Sequence, residues 1–472
     1  MQLTFWGAAR QVTGSMHLLE LSDGYKVLID CGYDLDRSVE KTSPHPDYFF
    51  PFDPSTIDLV LLTHAHVDHS GNIPNLFRYG YDGQVLCTKP TFFLTEILLY
   101  DCALLNRKKL EYQRKTAKRN SAKSVYNADG IYLEKQVEAT LENFVTIGFN
   151  KKFEVRPGFE VEFIPAGHLL GAAHIVVTVT ENNQTKTIGF SGDIGRSNYP
   201  LLPNPQKMQE VDYLVCETTY GNRSHKATNE SAEEILENII YKTCVEVRGR
   251  LIIPAFSVGR TQAVLFVLNK IFKKNKLRPL KIFADSPMAI KSTSTYEMFK
   301  SELNEEARGF DQKHGSMFDF DNLHYVDNYK QSKQISNYHE PCIILSSSGM
   351  ITGGRIGYHL QKNLGNPYCT VLMIGYAAEN TPGHDLMTGK NSITLKGKEI
   401  KIAANIEVTD ILSGHAGRED LIAFVKNQNP KKLKNIFLVH GEAESMEEFK
   451  TTIGALGYKN AACPARGESY EL

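Results

Sequence analysis

The chain has 472 residues, of which 53 are basic and 54 acidic, and its formal net charge is −1. This balance excludes a protein coated in positive charge and confines any nucleic-acid contact to a local surface. The length predicts about two domains of roughly 200 residues each. The amino terminus lacks the features of a signal peptide, and every apolar run is far shorter than the roughly 20 residues that cross a bilayer. We therefore expect a cytoplasmic protein without membrane contact.

Short strands dominate the first 90 residues and return between residues 153 and 217. Apolar stretches alternate there with Gly and Asp turns, a pattern typical of sheets. We predict strands at 2–6, 16–21, 25–29, 57–62, 84–87, 153–165, 174–180, 186–190 and 213–217.

The segment 91–144 is helical in character and contains the most basic stretch of the chain. Residues 107–123 include eight Lys or Arg and a single acid, Glu111. Charge runs of this kind usually solvate a helix face. We favour that interpretation, with an RNA-contacting arm as the alternative.

Between about residues 222 and 390 strands and helices alternate, which indicates a separate doubly wound α/β unit. We predict helices from Ser231, from Arg260 and near Tyr358, and strands at 251–254, 281–284, 342–346 and 370–375. Because histidine-bearing segments lie on both sides of this unit, we expect it to be inserted into the first domain. The predicted boundaries are 1–215, 216–395 and 396–472.

The most informative motif is His64-Ala65-His66-Val67-Asp68-His69, which directly follows the apolar strand 57–62. Strand ends of this kind carry the sites of layered α/β folds. On a tight loop, His64 and His66 can face one metal ion, and Asp68 and His69 a second. Zinc suits these nitrogen and oxygen donors. A polar loop with hydrogen-bonded histidines is the alternative.

Three more candidate ligands follow predicted strands and adjoin glycine: His168, Asp193 and His415. The small neighbours would let the backbone bring these side chains close to an ion, and a carboxylate at Asp193 can bridge two cations. Asp30, after the strand 25–29, is placed to support a ligating histidine through a hydrogen bond. A turn or helix-capping role for Asp30 is the alternative.

On these motifs the sequence resembles the metallo-β-lactamase superfamily and, more closely, its β-CASP nucleases, which include the endonuclease subunit of the mRNA 3′-end cleavage machinery. The resemblance covers almost the whole chain. It implies a four-layer αββα fold with an inserted doubly wound α/β domain, two zinc ions per chain and single-stranded RNA as substrate. It also implies that the chain assembles as a homodimer or within an RNA-processing complex.

The resemblance assigns roles to individual residues. It implies one zinc ion held by His64, His66 and His168, a second held by Asp68, His69 and His415, a bridging Asp193, and support from Asp30 and His440. His415 at the family's motif C favours RNA over DNA. Residues 257–260 and 348–355 also match signatures of the inserted domain.

The implied reaction is hydrolysis of RNA phosphodiester bonds by a metal-activated hydroxide, leaving 3′-hydroxyl and 5′-phosphate ends. Glu217 matches the motif A acid and His384 the motif B histidine. We expect Asp68, Glu217 and His384 to be catalytic, with His384 protonating the leaving ribose oxygen and Glu217 hydrogen-bonded to its imidazole. Endonucleolytic cutting is favoured.

Candidate RNA phosphate contacts are Ser346, Ser347, Ser348 and Arg355, through hydroxyl groups and a forked guanidinium. A structural salt bridge for Arg355 is equally compatible with the sequence. Three other functions stay open: a 5′-exoribonuclease, a hydrolase of thioesters or lactams, and a catalytically silent RNA-binding scaffold.

Overall fold

A computed structural model describes residues 1–34, 49–120, 130–225, 230–274, 277, 280–375 and 377–472. The final part of the predicted basic segment, 121–123, lies outside these ranges. The described chain forms two compact units. The first unit comprises Met1–Gly195, Pro205–Ser224 and His415–Leu472, and the second comprises Arg196–Asn204 and His225–Gly414. The predicted domain boundaries at residues 216 and 396 stay predictions.

The strands of the described residues are listed here in chain order. They are β1 (Gln2–Gly7), β2 (Met16–Glu20), β3 (Lys26–Ile29), β4 (Leu59–Leu61), β5 (Gln84–Thr88), β6 (Phe144–Ile147), β7 (Lys152–Arg156), β8 (Phe159–Pro165), β9 (Ala173–Glu181), β10 (Gln184–Phe190), β11 (Tyr213–Glu217), β12 (Arg250–Pro254), β13 (Lys281–Asp285), β14 (Leu323–Tyr325), β15 (Cys342–Ser346), β16 (Thr370–Ile374), β17 (Ser392–Leu395), β18 (Lys398–Lys401), β19 (Asn405–Thr409), β20 (Asn435–Val439), β21 (Ala461–Ala462) and β22 (Glu468–Glu471).

The α-helices of the same ranges follow in chain order. They are α1 (Val67–Ser70), α2 (Ile73–Arg78), α3 (Lys89–Asn120), α4 (Glu134–Leu141), α5 (Ala232–Ile240), α6 (Arg260–Lys273), α7 (Pro287–Met298), α8 (Glu305–His314), α9 (Tyr329–Gln334), α10 (Ile356–Asn363), α11 (Pro382–Met387), α12 (Arg418–Lys426) and α13 (Ala443–Ala455). Shorter 3₁₀ or π turns lie at Pro54–Thr56, Tyr241–Glu246, Lys300–Glu302 and Ile335–Asn337.

Two seven-stranded sheets form the body of the first unit, in the orders β22-β1-β2-β3-β4-β5-β6 and β21-β20-β11-β10-β9-β8-β7. Side chains that alternate along β8 point inward, so Phe159, Val161 and Phe163 are buried in a core shared with Phe5 and Leu61 of the other sheet. This period of two is the pattern of a half-buried strand. Burial of these apolar groups provides the main stabilisation of the sandwich.

Helices cover the outer faces of both sheets. Leu76 of α2 packs with Val60 of β4, whereas Phe424 of α12 and Phe449 of α13 pack with Leu214 of β11. The first unit therefore has the four-layer αββα architecture, and the predicted fold class is confirmed.

The second unit contains a six-stranded sheet in the order β14-β13-β15-β12-β16-β19, in which all the pairings are parallel. Its central strands read as continuous apolar runs, such as 251–253 and 343–345, and these runs are fully buried. Helices on both faces of a parallel sheet produce this pattern. The prediction of a doubly wound α/β unit is confirmed.

The predicted helical segment 91–144 contains two helices, α3 and α4. In the basic half of α3, Lys108, Lys109 and Arg114 are exposed, and Arg107 forms an ion pair with Glu134 at 2.9 Å. Within the described ranges, no helix combines the length and the apolar character needed to cross a bilayer.

Candidate metal centre

Strands of the first unit that run in the same direction bring the candidate ligands to one edge. β3, β4 and β5 are mutually parallel, as are β10, β11 and β20, and β8 shares their direction because it is antiparallel to β9, which is antiparallel to β10. The carboxyl ends of parallel strands meet at the same edge of a sheet. Asp30, the His64–His69 motif, His168, Asp193, Glu217 and His440 all lie at or just after these strand ends.

Close approach of two loops at this edge depends on glycine. A Cβ added to Gly195 would lie 2.2 Å from the carbonyl carbon of Gly167. Any larger residue would therefore push the loops apart. The contact brings His168, which follows Gly167, next to Asp193.

The first group of candidate ligands comprises His64, His66, His168 and Asp193, with one donor atom of each within 4.8 Å of the others. Nδ1 of His66 lies 3.1 Å from Nε2 of His64 and 3.1 Å from Nε2 of His168. Oδ2 of Asp193 lies 3.4 Å from each of the same two Nε2 atoms. Three nitrogen donors and one oxygen donor thus converge on one point.

The second group comprises Asp68, His69 and His440. Nε2 of His440 lies 3.2 Å from Nε2 of His69 and 3.6 Å from Oδ2 of Asp68. Oδ1 of Asp193 lies 3.2 Å from the His69 nitrogen and 3.6 Å from the His440 nitrogen. Asp193 therefore directs one carboxylate oxygen toward each group, which is the geometry of a bridging ligand.

His415 and His440 are placed differently from the prediction, which put His415 in the second group and His440 outside it. Nδ1 of His415 lies 3.5 Å from Oε2 of Glu217 and 3.8 Å from Oδ2 of Asp193. His440 joins the second group because β20 pairs in parallel with β11, with Val439 opposite Glu217. That register brings the residue after Val439 to the edge where the other ligands lie.

Asp30 is hydrogen-bonded to one of the candidate ligands and to Thr63. Its Oδ2 accepts hydrogen bonds from Nδ1 of His69 at 2.7 Å and from Oγ1 of Thr63 at 2.8 Å, and its Oδ1 accepts from the Thr63 backbone N–H at 2.8 Å. A histidine that donates from Nδ1 presents an unprotonated Nε2 to a metal. Asp30 thus orients His69 toward the second group.

Burial and mutual charge set the protonation of the first group. Burial lowers the pKa of His66 to about 4, although the carboxylates of Asp68 and Asp193 oppose it, and lowers the pKa of His64 well below its usual value. Burial alone would raise the pKa of Asp193, but the surrounding His440, His69 and His64 hold it well below its usual range. Neutral imidazoles and an ionised carboxylate are the states that bind a divalent metal.

The two histidines of the second group have raised pKa values, in contrast to His64 and His66 of the first group. Burial alone would lower the pKa of His69, but the carboxylates of Asp193 and Asp30 outweigh it and raise this pKa well above the usual value. The pKa of His440 is raised in the same way, chiefly by the charge of Asp193 and by a hydrogen bond that its imidazole donates to the Asp68 carboxylate. A cation that binds here must displace these protons, so metal binding at this group should release protons.

The donor set fits zinc. Imidazole nitrogens and carboxylate oxygens are its usual ligands. Asp193 is 2% exposed, and its Oδ1 accepts no well-formed hydrogen bond from the described residues. An ionised buried oxygen in this state is costly without a compensating charge. A cation between the two groups would supply that charge in place of the protons on His69 and His440 that it displaces.

Thr63 and Thr219 were not predicted from the sequence, although their hydroxyls contact two of the candidate ligand histidines. Oγ1 of Thr63 lies 3.1 Å from Nδ1 of His64, and Oγ1 of Thr219 lies 2.9 Å from Nδ1 of His440. Thr63 directly precedes the histidine motif and Thr219 is two residues after Glu217. Their positions beside motif residues could have identified both threonines as candidates.

His384 and the candidate RNA-contacting serines belong to the second unit. His384 lies in α11, where its backbone N–H donates to Oγ1 of Thr381 at 3.2 Å. Ser346 donates from Oγ to the Asp285 carbonyl at 2.9 Å, and Ser347 donates to Oγ of Ser286 at 3.0 Å. Oγ of Ser348 accepts the Gly353 N–H at 3.3 Å.

The Arg355 guanidinium is engaged inside the second unit. Its Nη1 donates to Oδ1 of the fully buried Asp285 at 2.7 Å and to the Val326 carbonyl at 2.9 Å, and its Nη2 donates to the Asp327 carbonyl. His359 and Ser332 also donate to Asp285, each at 2.6 Å. These contacts favour the structural salt bridge over a phosphate contact for Arg355.

Three family models match the chain. Residues 9–205 match the metallo-beta-lactamase superfamily, residues 261–386 match the Beta-Casp domain, and residues 399–464 match the Zn-dependent metallo-hydrolase RNA specificity domain. The matched ranges extend into both compact units.

Curated relatives match over nearly the whole chain. Ribonuclease TTHA0252 of Thermus thermophilus is 32% identical over 446 residues, which is 94% of this chain and 94% of the relative. Two archaeal proteins named transcription termination factor FttA are also similar. That of Methanosarcina mazei is 28% identical over 96% of this chain and 69% of its own length, and that of Methanocaldococcus jannaschii is 30% identical over 98% and 70%.

Proposed function

Because the chain belongs to the metallo-beta-lactamase superfamily and carries its Beta-Casp and RNA specificity domains, we propose that it is a zinc-dependent ribonuclease that holds two zinc ions. The observation that carries this proposal is the Asp193 carboxylate, which directs Oδ2 toward one group of histidines and Oδ1 toward the other. A single-ion centre would have no use for that second set of donors.

The geometry supports a revised set of ligands. His64, His66 and His168 would hold one ion, Asp68, His69 and His440 the other, and Asp193 would contact both. Asp30 would support His69 from outside, through its hydrogen bond to Nδ1. This set differs from the sequence-based one only in the exchange of His440 for His415.

Bound zinc ions neutralise the charge of a phosphodiester and lower the pKa of water, so that hydroxide is available near neutral pH. Hydrolysis breaks the bond between phosphorus and the ribose 3′-oxygen, which then needs a proton to leave as a hydroxyl. We propose that His415 donates that proton, since it lies beside the ligands and next to an acid. Glu217, whose Oε2 lies 3.5 Å from Nδ1 of His415, would orient the imidazole toward the leaving oxygen.

The carboxylate of Glu217 is itself fixed in place. Its Oε1 accepts the backbone N–H of Ile194, and its Oε2 accepts the hydroxyl of Thr219 at 2.6 Å. The acid predicted from motif A is therefore tied to the residue that follows Asp193. His384 stays the alternative proton donor.

Two observations support RNA as the substrate. Residues 399–464 match an RNA specificity domain, and the Thermus thermophilus relative is named a ribonuclease. The candidate ligands are largely buried, with His64 fully so, and a stiff duplex could hardly bring one phosphodiester down to them. We therefore propose single-stranded RNA, cut internally to 3′-hydroxyl and 5′-phosphate ends.

Four alanine variants test the assignment, with zinc content and single-stranded RNA cleavage measured on each. His440→Ala should lose one zinc ion and cleavage. His415→Ala should keep both ions and lose about 10²–10⁴-fold in cleavage rate, the usual contribution of a general acid. Asp68→Ala should lose cleavage together with zinc, and His384→Ala should cleave at nearly the normal rate.

Other results would point to other conclusions. Loss of cleavage in His384→Ala with full activity in His415→Ala would restore His384 as the proton donor. Mononucleotide products would indicate a 5′-exonuclease. A wild-type protein that binds two zinc ions and RNA without cleaving would be a silent scaffold.

A further inference from the structure

We propose that Thr219 is a positioning residue of the zinc centre. Its hydroxyl would hold the His440 imidazole with the proton on Nδ1, which leaves Nε2 bare and directed at the second group of ligands. The inference rests on the proposed zinc-dependent function and names a residue that sets the affinity of one of the two ions.

The directions of three hydrogen bonds lead to this tautomer. Oγ1 of Thr219 lies 2.6 Å from Oε2 of Glu217, 3.1 Å from the His440 carbonyl oxygen and 2.9 Å from Nδ1 of His440. A hydroxyl has one proton to donate, and carboxylate and carbonyl oxygens only accept. Whichever oxygen takes the proton, Thr219 offers a lone pair to Nδ1, so Nδ1 must carry a hydrogen. The other nitrogen is then free to bind metal.

Burial makes this hydrogen bond hard to replace. Thr219 is 7% exposed, His440 2% and Glu217 1%, so water has little access to these groups. The neighbouring backbone is equally constrained, because a Cβ added to Gly441 would lie 2.7 Å from the Thr218 carbonyl oxygen. The loop that carries Thr219 and the loop that carries His440 are therefore packed too closely for another side chain to enter.

The same arrangement occurs once more, at the first group of ligands. Oγ1 of Thr63 donates to Oδ2 of Asp30 at 2.8 Å and lies 3.1 Å from Nδ1 of His64. By the same reasoning, the hydroxyl accepts from Nδ1 and leaves Nε2 of His64 bare. In each group, hydrogen bonds thus connect a carboxylate to a threonine hydroxyl, and that hydroxyl to Nδ1 of one histidine. Outer hydrogen bonds of this kind typically change metal affinity by about 10–100-fold.

The test starts from the zinc-loaded protein and measures the release of each ion to a chromophoric chelator. Thr219→Val keeps the shape of the side chain and removes the hydroxyl, so we expect one of the two ions to bind about 10–100-fold more weakly and the other to be unchanged. Thr219→Ser restores the hydroxyl and should restore the affinity. Histidine ¹⁵N NMR should show an Nδ1–H for His440 in the wild type that is altered in the valine variant.

Thr218→Val is the matched control. Thr218 is a fully buried neighbour whose hydroxyl donates to the Val439 carbonyl at 2.8 Å. Within the part of the chain that the structure describes, this hydroxyl makes no hydrogen bond to an imidazole, so its loss should leave both zinc affinities unchanged.

The outcomes separate this inference from the proposed function. A wild-type protein that fails to hold two zinc ions would refute the zinc centre itself. If the wild type holds two ions, equal affinities in wild type and Thr219→Val would overturn the role of Thr219. Equal weakening in Thr218→Val, or no rescue by serine, would attribute the effect to packing and overturn it as well.

Discussion

His174, in β9 of the first unit, gives a quantitative prediction of how stability depends on pH. Its Nδ1–H donates to the Ser191 carbonyl at 2.5 Å, and its ring packs against Phe424 with 4.8 Å between the centroids. Its Nε2 is buried and has no hydrogen-bond partner among the described residues. Burial lowers the pKa of His174 from 6.5 to about 4, so the ring stays neutral in the folded protein.

The sign and size of the effect follow from this pKa. The unfolded chain protonates His174 as the pH falls through 6.5, whereas the folded protein does so only near 4. Stability is therefore lost as the pH falls across this window. At about 1.4 kcal/mol per pKa unit, the full loss is about 3 kcal/mol, of which about 2 kcal/mol is gone by pH ~5.

The variant His174→Gln keeps a donor for Ser191 and removes the titrating group. Denaturant unfolding of both proteins at pH ~7.5 and ~5, with zinc in excess, should show a loss of stability about 2 kcal/mol smaller in the variant. Protonation linked to zinc is common to both proteins and cancels in the comparison. Equal losses would refute the assignment of a neutral, buried His174.

Three further predictions concern the metal centre, the second unit and α3. Because the pKa of His69 is raised well above its usual value, zinc must displace a proton to bind, and zinc affinity should fall as the pH falls. Calorimetry of zinc binding in buffers of different ionisation enthalpy should detect the released protons. Binding heats that are the same in every buffer would contradict this prediction. Asp285→Ala leaves the partners of this buried carboxylate, Arg355 and His359, without their acceptor. It should therefore lower the free energy of unfolding of the second unit by about 3 kcal/mol in denaturant titrations. Lys300→Ala, at an exposed ion pair, should have little effect. If the basic half of α3 is only a solvated helix face, replacement of the exposed Lys108 and Lys109 by Glu should leave the affinity for RNA and its dependence on salt unchanged. Weaker dependence of the affinity on salt in the variant would support the alternative, an RNA-contacting arm.

Much of the fold could be predicted from local patterns. The apolar run 57–62 contains β4 at Leu59–Leu61, and the alternation of Phe159, Val161 and Phe163 reflects the inward face of β8. These patterns are local because burial on one face repeats every second residue. The same holds for the buried runs of the parallel sheet in the second unit.

The exchange of His415 and His440 could not be resolved in this way. Both histidines adjoin glycine. Which of them joins Asp68 and His69 depends on the pairing of β20 with β11, strands more than 200 residues apart in the sequence, and on the register that sets Val439 opposite Glu217. The sequence carries no local signal of that register.

Arg355 shows a second limit. Its charge is evident in the sequence, but its partners are the buried carboxylate of Asp285 at the end of β13 and the carbonyl of Val326 just after β14. Carbonyl acceptors are the same for every residue type, so no motif marks them. Thr63 and Thr219 were missed for a related reason, since a hydroxyl gains its role only through the two groups that it joins.

The most direct test of the account is cleavage of a 5′-labelled single-stranded RNA by the zinc-loaded protein, beside a matched DNA and an Asp193→Ala variant, with products resolved on a sequencing gel. The account predicts internal RNA fragments ending in 3′-hydroxyls, little cutting of the DNA, and no cutting by the variant. Intact RNA with about two zinc ions per chain, or unchanged cleavage by Asp193→Ala, would contradict it.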